Sequence, residues 1–434
     1  MALELSITDL AYTGYGLGHL EDGRVAFVSG AVPGDQMRVN ITQDKGRYVF
    51  AEPAEILTPS DDRLPAVCPH ADECGGCPWQ AVSYPVQLDY KWRFVVSALG
   101  RTAKVKKPEL LVSEIEPSKK CWGYRNKMEF GFGRRSEGLR LGIHRPRSNQ
   151  LVPIKRCLLL PVGSEDLPRQ LSGSLNYLFA EALPLPYRIQ VRISERSGFS
   201  ELALWSLPGP LKRGFVAQVL SQVKGFQSIV RVLTKTPKER QNIKKVEVLQ
   251  GRGHWLEDFL GFRLRVSAPS FFQVNTPVAE QLVGYAIEQL EPAGAKVWDL
   301  YCGVGSFTLP LIGAGARLSA CEIAGSSLRD LQSNLKFSSS KAIVESGDVK
   351  TGIKRLPKAK KAIIDPPRSG LSPEARQALI ESSVRHLVYV SCDPQTLARD
   401  CAELIASGFT LNAAKPFDLF PQTYHVETVA TLTR

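Results

Sequence analysis

Cys392 stands where the nucleophile of an open α/β fold would lie. It ends residues 388–392, a run of β-branched and aromatic residues that predicts a short buried strand. The carboxyl ends of such strands form the sheet edge at which open α/β folds bind their ligands. A lone cysteine is more often a small buried hydrophobic residue, so its interpretation depends on what the neighbouring strands carry.

Four further strand ends carry residues that suit a cofactor. Residues 298–306 (Trp-Asp-Leu-Tyr-Cys-Gly-Val-Gly-Ser) form a strand that opens onto a glycine loop. The loop lacks the third glycine of a dinucleotide site, so it suits an adenosyl amino acid better than a pyrophosphate. Glu322 ends the second strand and offers two acceptors to ribose hydroxyls, while Asp348 follows the third and Asp365 the fourth. Together these positions predict a site for S-adenosylmethionine.

The elements that must position these residues alternate regularly from residue 271 onward. Alternating strands and helices are typical of an α/β fold with a doubly wound parallel sheet, which we predict over residues 269–434. Residues 426–432 at its end predict an additional, antiparallel edge strand. The predicted parallel strands are 297–301, 318–322, 342–345, 362–365 and 387–391, and the helices 325–337, 373–384 and 396–407.

Residues 1–58 have the pattern of a small β-barrel. Short strand-like runs over 5–8, 24–28, 36–41 and 48–52 are separated by glycine-rich turns. Their even spacing predicts a barrel of the oligonucleotide-binding kind. A β-module without a ligand is the alternative, because shape alone does not establish binding.

Residues 59–100 predict a cysteine-rich loop and a connecting helix over 85–100. Cys68, Cys74 and Cys77 have C-x5-C-x2-C spacing in a segment with little apolar material, which a metal centre would stabilise. Zinc accepts four thiolates, and so does an iron–sulfur cluster. Cys157 is the candidate for the fourth ligand, with Cys121 as its competitor. The nine cysteines are odd in number and accompany no secretory marker, which disfavours a disulfide framework.

The predicted central α+β domain, residues 101–268, begins with a basic stretch over residues 101–156 that carries most of the excess positive charge of this chain, whose net charge is +12. Fifteen Lys and Arg face five Glu between positions 101 and 156, and a second basic stretch covers 235–245. Cations interleaved with aromatic rings favour RNA binding, although a charged run is otherwise usually a solvated face. The interleaved residues are Trp122, Tyr124, Arg125, Lys127, Phe130, Phe132, Arg134 and Arg135.

The composition is that of a globular protein of two or three domains. No stretch is long and apolar enough to span a membrane, and residues 1–30 lack the basic-then-apolar order of a signal peptide. We expect a cytoplasmic monomer that binds RNA and no membrane.

These motifs resemble those of the RNA uracil-5-methyltransferase family, which makes 5-methyluridine in ribosomal and transfer RNA. The resemblance covers nearly the whole chain and implies an N-terminal TRAM domain and a C-terminal seven-stranded S-adenosylmethionine-dependent methyltransferase domain. The motifs are residues 271–275 (Phe-Phe-Gln-Val-Asn), 299–307, 365–371 (Asp-Pro-Pro-Arg-Ser-Gly-Leu), 389–394 (Tyr-Val-Ser-Cys-Asp-Pro), 396–400 and 425–428 (His-Val-Glu-Thr).

The resemblance also implies roles for single residues. Cys392 would be the nucleophile, and Glu427 the base that removes the proton from carbon 5. The pocket for cofactor and base would be lined by Gln273, Tyr301, Ser306, Glu322, Asp348 and Asp365. A [4Fe-4S] cluster would be bound by Cys68, Cys74, Cys77 and Cys157.

The chemistry that these residues allow is covalent. Carbon 5 of uracil is a poor nucleophile towards a sulfonium methyl group, and a thiolate that adds to carbon 6 makes the ring an enolate. We therefore expect S-adenosylmethionine-dependent methylation of uracil in RNA, with 23S ribosomal RNA as the substrate. The alternatives are transfer RNA, or a non-catalytic iron–sulfur protein that binds RNA. The intact set of Cys392, Glu427 and Asp365 argues against the last of these.

Overall fold

In the computed structural model, which describes residues 3–135, 138–181, 184–237 and 242–434, the N-terminal strands close into a five-stranded barrel. The predicted barrel is therefore confirmed, but the pattern missed the strand at Gly16–His19. A Cβ atom at Gly18 would lie 2.3 Å from Leu5, so this strand needs glycine, which is otherwise rare in strands. The strands are β1 (Leu3–Leu10), β2 (Gly16–His19), β3 (Val25–Val28), β4 (Gln36–Asp44) and β5 (Tyr48–Thr58), in the order β1-β2-β3-β5-β4.

The cysteine loop leads into a long helix and then into the central sheet. The helix α1 (Tyr84–Arg101) begins with a proline in its first turn and is followed by a short 3-10 helix (Pro108–Leu110). The central strands are β6 (Lys127–Arg135), β7 (Gly138–His144), β8 (Leu151–Pro153), β9 (Pro186–Ile193), β10 (Ser200–Ser206), β11 (Ser228–Thr234) and β12 (Ile243–Gln250), in the order β12-β11-β10-β9-β6-β7-β8. The helices α2 (Leu167–Phe179) and α3 (Arg213–Ser221) accompany them.

The C-terminal part is a doubly wound seven-stranded sheet, as predicted. The hairpin β13 (Trp255–Phe259) and β14 (Phe262–Val266), which a boundary at residue 268 assigns to the central domain, packs into the core of this part. Its further elements are α4 (Thr276–Leu290), β15 (Lys296–Leu300), α5 (Thr308–Gly313), β16 (Arg317–Glu322), α6 (Gly325–Phe337), β17 (Ile343–Ser346), α7 (Val349–Arg355), β18 (Lys361–Ile364), α8 (Pro373–Ile380), β19 (His386–Ser391), α9 (Pro394–Ala406), β20 (Thr410–Phe417) and β21 (Glu427–Thr433).

The last strand corrects one prediction. The sheet order is β17-β16-β15-β18-β19-β21-β20, so β21 is antiparallel as expected but lies inside the sheet rather than at its edge. Six of its seven residues are buried, as befits a strand with neighbours on both sides. The last strand of the sheet is β20, and its outer side is covered by residues 111–116, through parallel bridges of Val112 with Ala414 and of Glu116 with Phe417. Within the described residues, no helix has the length and apolar character needed to cross a bilayer.

One face of α1 fixes the segment that leads into β21. Lys91 donates to Asp418 at 2.6 Å, and Tyr84 donates to the other oxygen of the same carboxylate at 2.9 Å. Gln87, one turn before Lys91, donates to the side chain of Gln422 at 3.0 Å. The side chains of Lys91 and Asp418 are both fully buried. A buried charge pair of this kind makes each partner necessary to the other.

We expect Lys91→Met to lower the free energy of unfolding by about 3–5 kcal/mol, because it leaves the Asp418 carboxylate buried without its cation. Urea denaturation measures the change. The control is Arg93→Met on the same helix, which removes the exposed pair with Asp89 and should cost less than about 1 kcal/mol. Equal costs for the two variants would show that the buried pair does not stabilise this segment.

Candidate active site

Cys392, Glu427 and Asp365 meet at the carboxyl edge of the sheet. In the antiparallel pairing of β19 with β21, Ser391 faces Thr428, so the next residues outward are Cys392 and Glu427. Asp365 directly follows β18, the parallel neighbour of β19, and reaches the same edge. Glu427 is 4% exposed, far from the solvated position that an edge strand would give it. The structure thus places the predicted nucleophile and the predicted base side by side.

The turn that carries Cys392 is held by the start of α9. The carboxylate of Asp393 accepts hydrogen bonds from the backbone N–H groups of Gln395 and Thr396, at 3.0 and 3.1 Å. Pro394 occupies the first helical position, where its missing N–H costs nothing. The local sequence therefore fixes the direction of the chain at the nucleophile.

The acidic groups at this edge of the sheet have raised pKa values. Burial, with a smaller contribution from Asp299, raises the pKa of Asp365 to about 7. Burial, and then the neighbouring Asp365, raises the pKa of Glu427 to about 8. Burial, followed by Glu427 and Asp365, raises the pKa of Cys392 to about 12, against the lowering effect of Arg368. The resting thiol is therefore neutral, and the two carboxyl groups titrate near neutral pH, where acid–base catalysis is most effective.

Arg368 is the arginine that lowers the pKa of the Cys392 thiol. Its Nε lies 3.6 Å from a carboxylate oxygen of Asp393, beside the nucleophile. Arg399 instead donates to Asp400 at 2.8–2.9 Å and to the carbonyl of Ser369 at 2.9 Å. Its role is to hold the loop that follows the two prolines.

The raised pKa of Glu427 predicts a pH-dependent effect of Glu427→Gln on stability. Because the pKa in the folded protein, about 8, exceeds the ordinary 4.5, ionisation opposes folding. This penalty is absent below the ordinary pKa and complete above the raised one, and glutamine avoids it. Thermal unfolding should therefore show an advantage of the variant that grows between about pH 5 and pH 9, to a few kcal/mol. A difference independent of pH would contradict the shift.

The glycine loop after β15 forms the floor of the expected cofactor site. Tyr301 has a φ of +65°, unusual for a residue with a side chain, and Gly303 follows at +56°. One carboxylate oxygen of Glu322 accepts from the N–H of Gly303 at 2.9 Å, and the other from Ala324 at 2.6 Å. Each oxygen keeps a second lone pair, so Glu322 can still accept from ribose hydroxyls. The carboxylate thus both shapes the loop and offers acceptors.

A cavity of about 420 Å³ opens beside this loop, a size that suits a small-molecule ligand. The cavity lies between the ends of β15 and β17 and the loop after β18. Its lining includes Tyr301, Ile323, Gly347, Asp348, Pro367, Gly370, Leu371 and Arg399. Two of the predicted contacts, Tyr301 and Asp348, therefore share one cavity, with Glu322 next to Ile323.

The other predicted contacts, Gln273, Ser306, Glu322 and Asp365, are not among the residues that line this cavity. Ser306 is half-buried in the loop. Gln273 is buried, and its side-chain oxygen has no hydrogen-bond partner among the described residues. Asp348 caps α7 by accepting from Lys350 at 3.0 Å. An unpaired buried amide oxygen costs free energy unless a ligand satisfies it, which fits Gln273 for contact with a bound molecule.

Four cysteines line a second, small cavity. Cys68, Cys74 and Cys77 approach Cys157, which lies in the turn before α2, whereas Cys121 lies near Lys91 instead. Within the described part of the chain, no three His, Cys, Asp or Glu residues have the spacing of ligands to one metal ion. A cluster binds each thiolate to a different iron, so it accepts wider spacing. The cavity also has an apolar wall, formed by Trp122, Ile143, Ile154 and Leu159.

One neighbour of the nucleophile could not be predicted from the sequence. Tyr12, in the turn after β1, donates to the carbonyl oxygen of Cys392 at 3.4 Å. Its ring contacts Phe94 and Tyr424 edge-on, at 5.3 and 5.7 Å between centroids. The ring centroids of His425 and Tyr424 are 4.4 Å apart. Burial lowers the pKa of His425 to about 4, so its imidazole is neutral. The barrel therefore takes part in building the site.

Part of the basic central segment differs from the expected RNA surface. Arg125 is half-buried, with its guanidinium 5.9 Å from the ring of Phe420. Lys127 forms an ion pair with Glu129 at 2.8 Å and is only 19% exposed, and burial lowers its pKa to about 8. These two cations therefore contact other parts of the protein and do not form an open basic surface. Residues 238–241 of the second basic stretch lie outside the described residues.

The fold and the site together define a class of protein. A doubly wound seven-stranded sheet, with a glycine loop and acidic strand ends around one cavity, is that of an S-adenosylmethionine-dependent methyltransferase. The N-terminal barrel is a TRAM domain, since the model of that domain matches residues 2–54.

Comparison with known proteins identifies the family. A family model described as tRNA (Uracil-5-)-methyltransferase matches residues 219–344 and 354–434. A Thermosynechococcus vestitus protein, named as an uncharacterized RNA methyltransferase, is 34% identical over 99% of this chain and 98% of its own. A Thermotoga maritima protein with the same name is 32% identical over 100% and 99%. The chain therefore belongs to the RNA uracil-5-methyltransferase family and is an S-adenosylmethionine-dependent enzyme.

A solved structure supports the fold over the full length. The Pyrococcus abyssi tRNA (uracil-54, C5)-methyltransferase, in complex with S-adenosyl-L-homocysteine, superposes with a TM-score of 0.77. The match covers 99% of both chains at 22% sequence identity. At this identity the likeness concerns the architecture.

Proposed function

We propose that this protein methylates carbon 5 of a uracil in 23S ribosomal RNA through a covalent intermediate on Cys392. The observation that carries the proposal is the adjacent position of Cys392 and Glu427 at the ends of β19 and β21. S-adenosylmethionine supplies an electrophilic methyl group when it is bound. A methyltransferase acting on an amino group would need neither residue.

The reaction divides into steps that Cys392 and Glu427 perform. The neutral thiol of Cys392 first loses its proton to solvent. The resulting thiolate forms a bond to C6 of uracil, and the electron pair of the C5–C6 double bond moves towards O4 as an enolate. After C5 has gained the methyl group, Glu427 takes the remaining proton from C5. The released electron pair restores the C5–C6 double bond and expels the thiolate. Glu427 then passes its proton to the thiolate, which restores the resting thiol and the carboxylate.

The electrostatics support this division of roles. The pKa of Glu427, about 8, makes it a stronger base than an ordinary carboxylate, as removal of a carbon-bound proton requires. Arg368 lowers the pKa of Cys392 and so favours the thiolate. Asp365, with a pKa of about 7, can orient the uracil by accepting from its N3–H. A stacked base cannot enter this site, so the target must be flipped or lie in a loop.

Ribosomal RNA is our proposed substrate because the cysteine loop and the TRAM domain resemble those of ribosomal members of the family. Transfer RNA is the alternative. Mapping 5-methyluridine in 23S ribosomal and transfer RNA from cells lacking the gene decides between them. Loss from 23S RNA alone is the expected result. Loss from transfer RNA alone would overturn the substrate, and no loss from either would overturn the function.

We also propose that Cys68, Cys74, Cys77 and Cys157 bind a [4Fe-4S] cluster. The shared cavity supports this, as does the raised pKa of Cys74, about 11, which burial causes. Metal binding would stabilise the thiolate form of such a buried thiol. The cluster would hold the loop that ends at α1.

Anaerobically purified protein should be brown and contain about four irons per chain. Cys157→Ser should lose colour and iron. Cys121→Ser, the matched control outside the cavity, should keep both. Zinc as the only bound metal, or iron loss in the Cys121 variant alone, would contradict the assignment.

A further inference from the structure

Four aromatic rings form one continuous surface on the outside of the TRAM barrel. Tyr15, Phe27, Tyr48 and Phe50 contact one another with centroid separations of 5.3–6.4 Å. On β3 and β5 these rings alternate with residues that fill the barrel core, so they face away from it. The ring of Tyr48 is 37% exposed. The other three rings are half-buried, so the cluster forms a partly exposed aromatic patch, and such patches can mark binding sites.

A cation from the central sheet extends this surface. Arg147, in the loop between β7 and β8, places its guanidinium 3.9 Å from the centroid of Phe50 and 4.7 Å from that of Tyr15. Arg147 is itself exposed, so the outer face of the guanidinium plane is accessible. Its loop is fixed to the cysteine loop, because Gly75 donates to the carbonyl of His144 at 3.2 Å. Two domains therefore present one surface.

The charges beside the rings match a polyanion. Lys45 and Arg47 are exposed in the turn that leads to Tyr48. Neither forms an ion pair within the described structure. Flat rings with exposed cations at their margin suit single-stranded RNA, whose bases stack and whose phosphates need cations.

We propose that Tyr15, Phe27, Tyr48, Phe50 and Arg147 form a stacking platform for unpaired nucleobases of the RNA substrate. The inference rests on the proposed function, since it specifies how the same RNA is held. Stacking on such rings tolerates any base, so the platform grips single-stranded RNA without selecting its sequence.

The position of the platform relative to the nucleophile supports this role. Tyr12, which donates to the carbonyl of Cys392, lies only three residues before Tyr15. The Cα atoms of Tyr12 and Tyr15 are therefore at most about 11 Å apart. A base stacked on the platform would lie within a few nucleotides of the target. Extracting the target uracil unstacks its neighbours, and the platform offers them a new stacking partner.

The first experiment removes the rings and keeps apolar side chains. The probe is a fluorescein-labelled oligouridylate of about 16 nucleotides, compared with a fully paired RNA duplex. The double variant Phe27→Leu, Tyr48→Leu should bind the single strand about tenfold more weakly and the duplex unchanged. The salt dependence of binding should also stay unchanged, because no phosphate contact is lost. Phe337→Leu, at an exposed aromatic residue on α6, is the matched control.

The second experiment separates the plane of Arg147 from its charge. Arg147→Lys keeps the cation but loses the plane, so the affinity for the single strand should fall several-fold with an unchanged salt slope. Arg147→Ala should lower the slope as well, by about 0.7 for one phosphate contact on a single strand. Because Arg147 is exposed, these variants should melt like the wild type.

Two results would overturn the platform. One is single-strand binding within twofold of wild type in both the double variant and Arg147→Lys. The other is an equal loss for the single strand and the duplex, which would indicate a general change in the barrel. Either result leaves the proposed function intact if the wild type still forms 5-methyluridine. A wild type that binds through the platform but forms none would overturn the function alone.

Discussion

Cys392→Ala should abolish methylation of RNA, by roughly 10⁴-fold or more, and should form no covalent complex with RNA. Without the thiolate, carbon 5 of the uracil is never activated. The measurement uses S-adenosylmethionine labelled in its methyl group and counts label in RNA. Denaturing electrophoresis of the same reactions detects protein-linked RNA.

The control for the thiol is Cys401→Ala. Cys401 is fully buried in α9, close in sequence to the nucleophile, and the proposed mechanism gives it no role. This variant should keep the wild-type rate, with at most a modest loss of stability. Methylation that survives in the Cys392 variant would contradict covalent catalysis.

Glu427→Gln should accumulate an RNA that is both methylated and linked to the protein. The thiol can still add and the methyl group can still be transferred, but the C5 proton then has no acceptor. We expect turnover to fall by about 10²–10⁴-fold, the usual contribution of a general base. Electrophoresis under denaturing conditions should show a shifted protein band that carries label from the cofactor.

Glutamine preserves the shape of the side chain, so this trap tests proton removal rather than folding. Glu288→Gln, at an exposed position on α4, should trap nothing and turn over normally. Wild-type turnover by Glu427→Gln would assign the base to another residue. A variant that neither turns over nor traps RNA would show that Glu427 is needed at a step before methyl transfer.

The strand ends that build the site were predictable because each depends on local residues. The strand before Asp365 ends at two prolines, and the strand before Cys392 ends where Asp393 caps a helix. The loop at Tyr301 is set by its glycines. These signals depend on residues within a few positions of one another, so they can be recognised from the sequence alone.

What could not be predicted depends on distant contacts. Tyr12 and Cys392 are 380 residues apart, and no local pattern indicates that they touch. We predicted Glu427 on an edge strand because no residue close to it in the sequence indicates that β20 pairs with the outer side of β21. Arg125 and Lys127 have the composition of an RNA surface, yet tertiary packing turns them inward. In each case, the observed structure depends on a contact with a residue from another element of the fold.

The central claim, replacement of the hydrogen on carbon 5 of uracil, has one direct test. Purified protein is given S-adenosylmethionine with a labelled methyl group and RNA carrying tritium at C5 of its uracils, taken from cells that lack the gene. The mechanism predicts that tritium appears in water in step with methyl groups in RNA, one for one. Methyl transfer to this RNA without release of tritium would contradict it, because the methyl group would then reside on another atom.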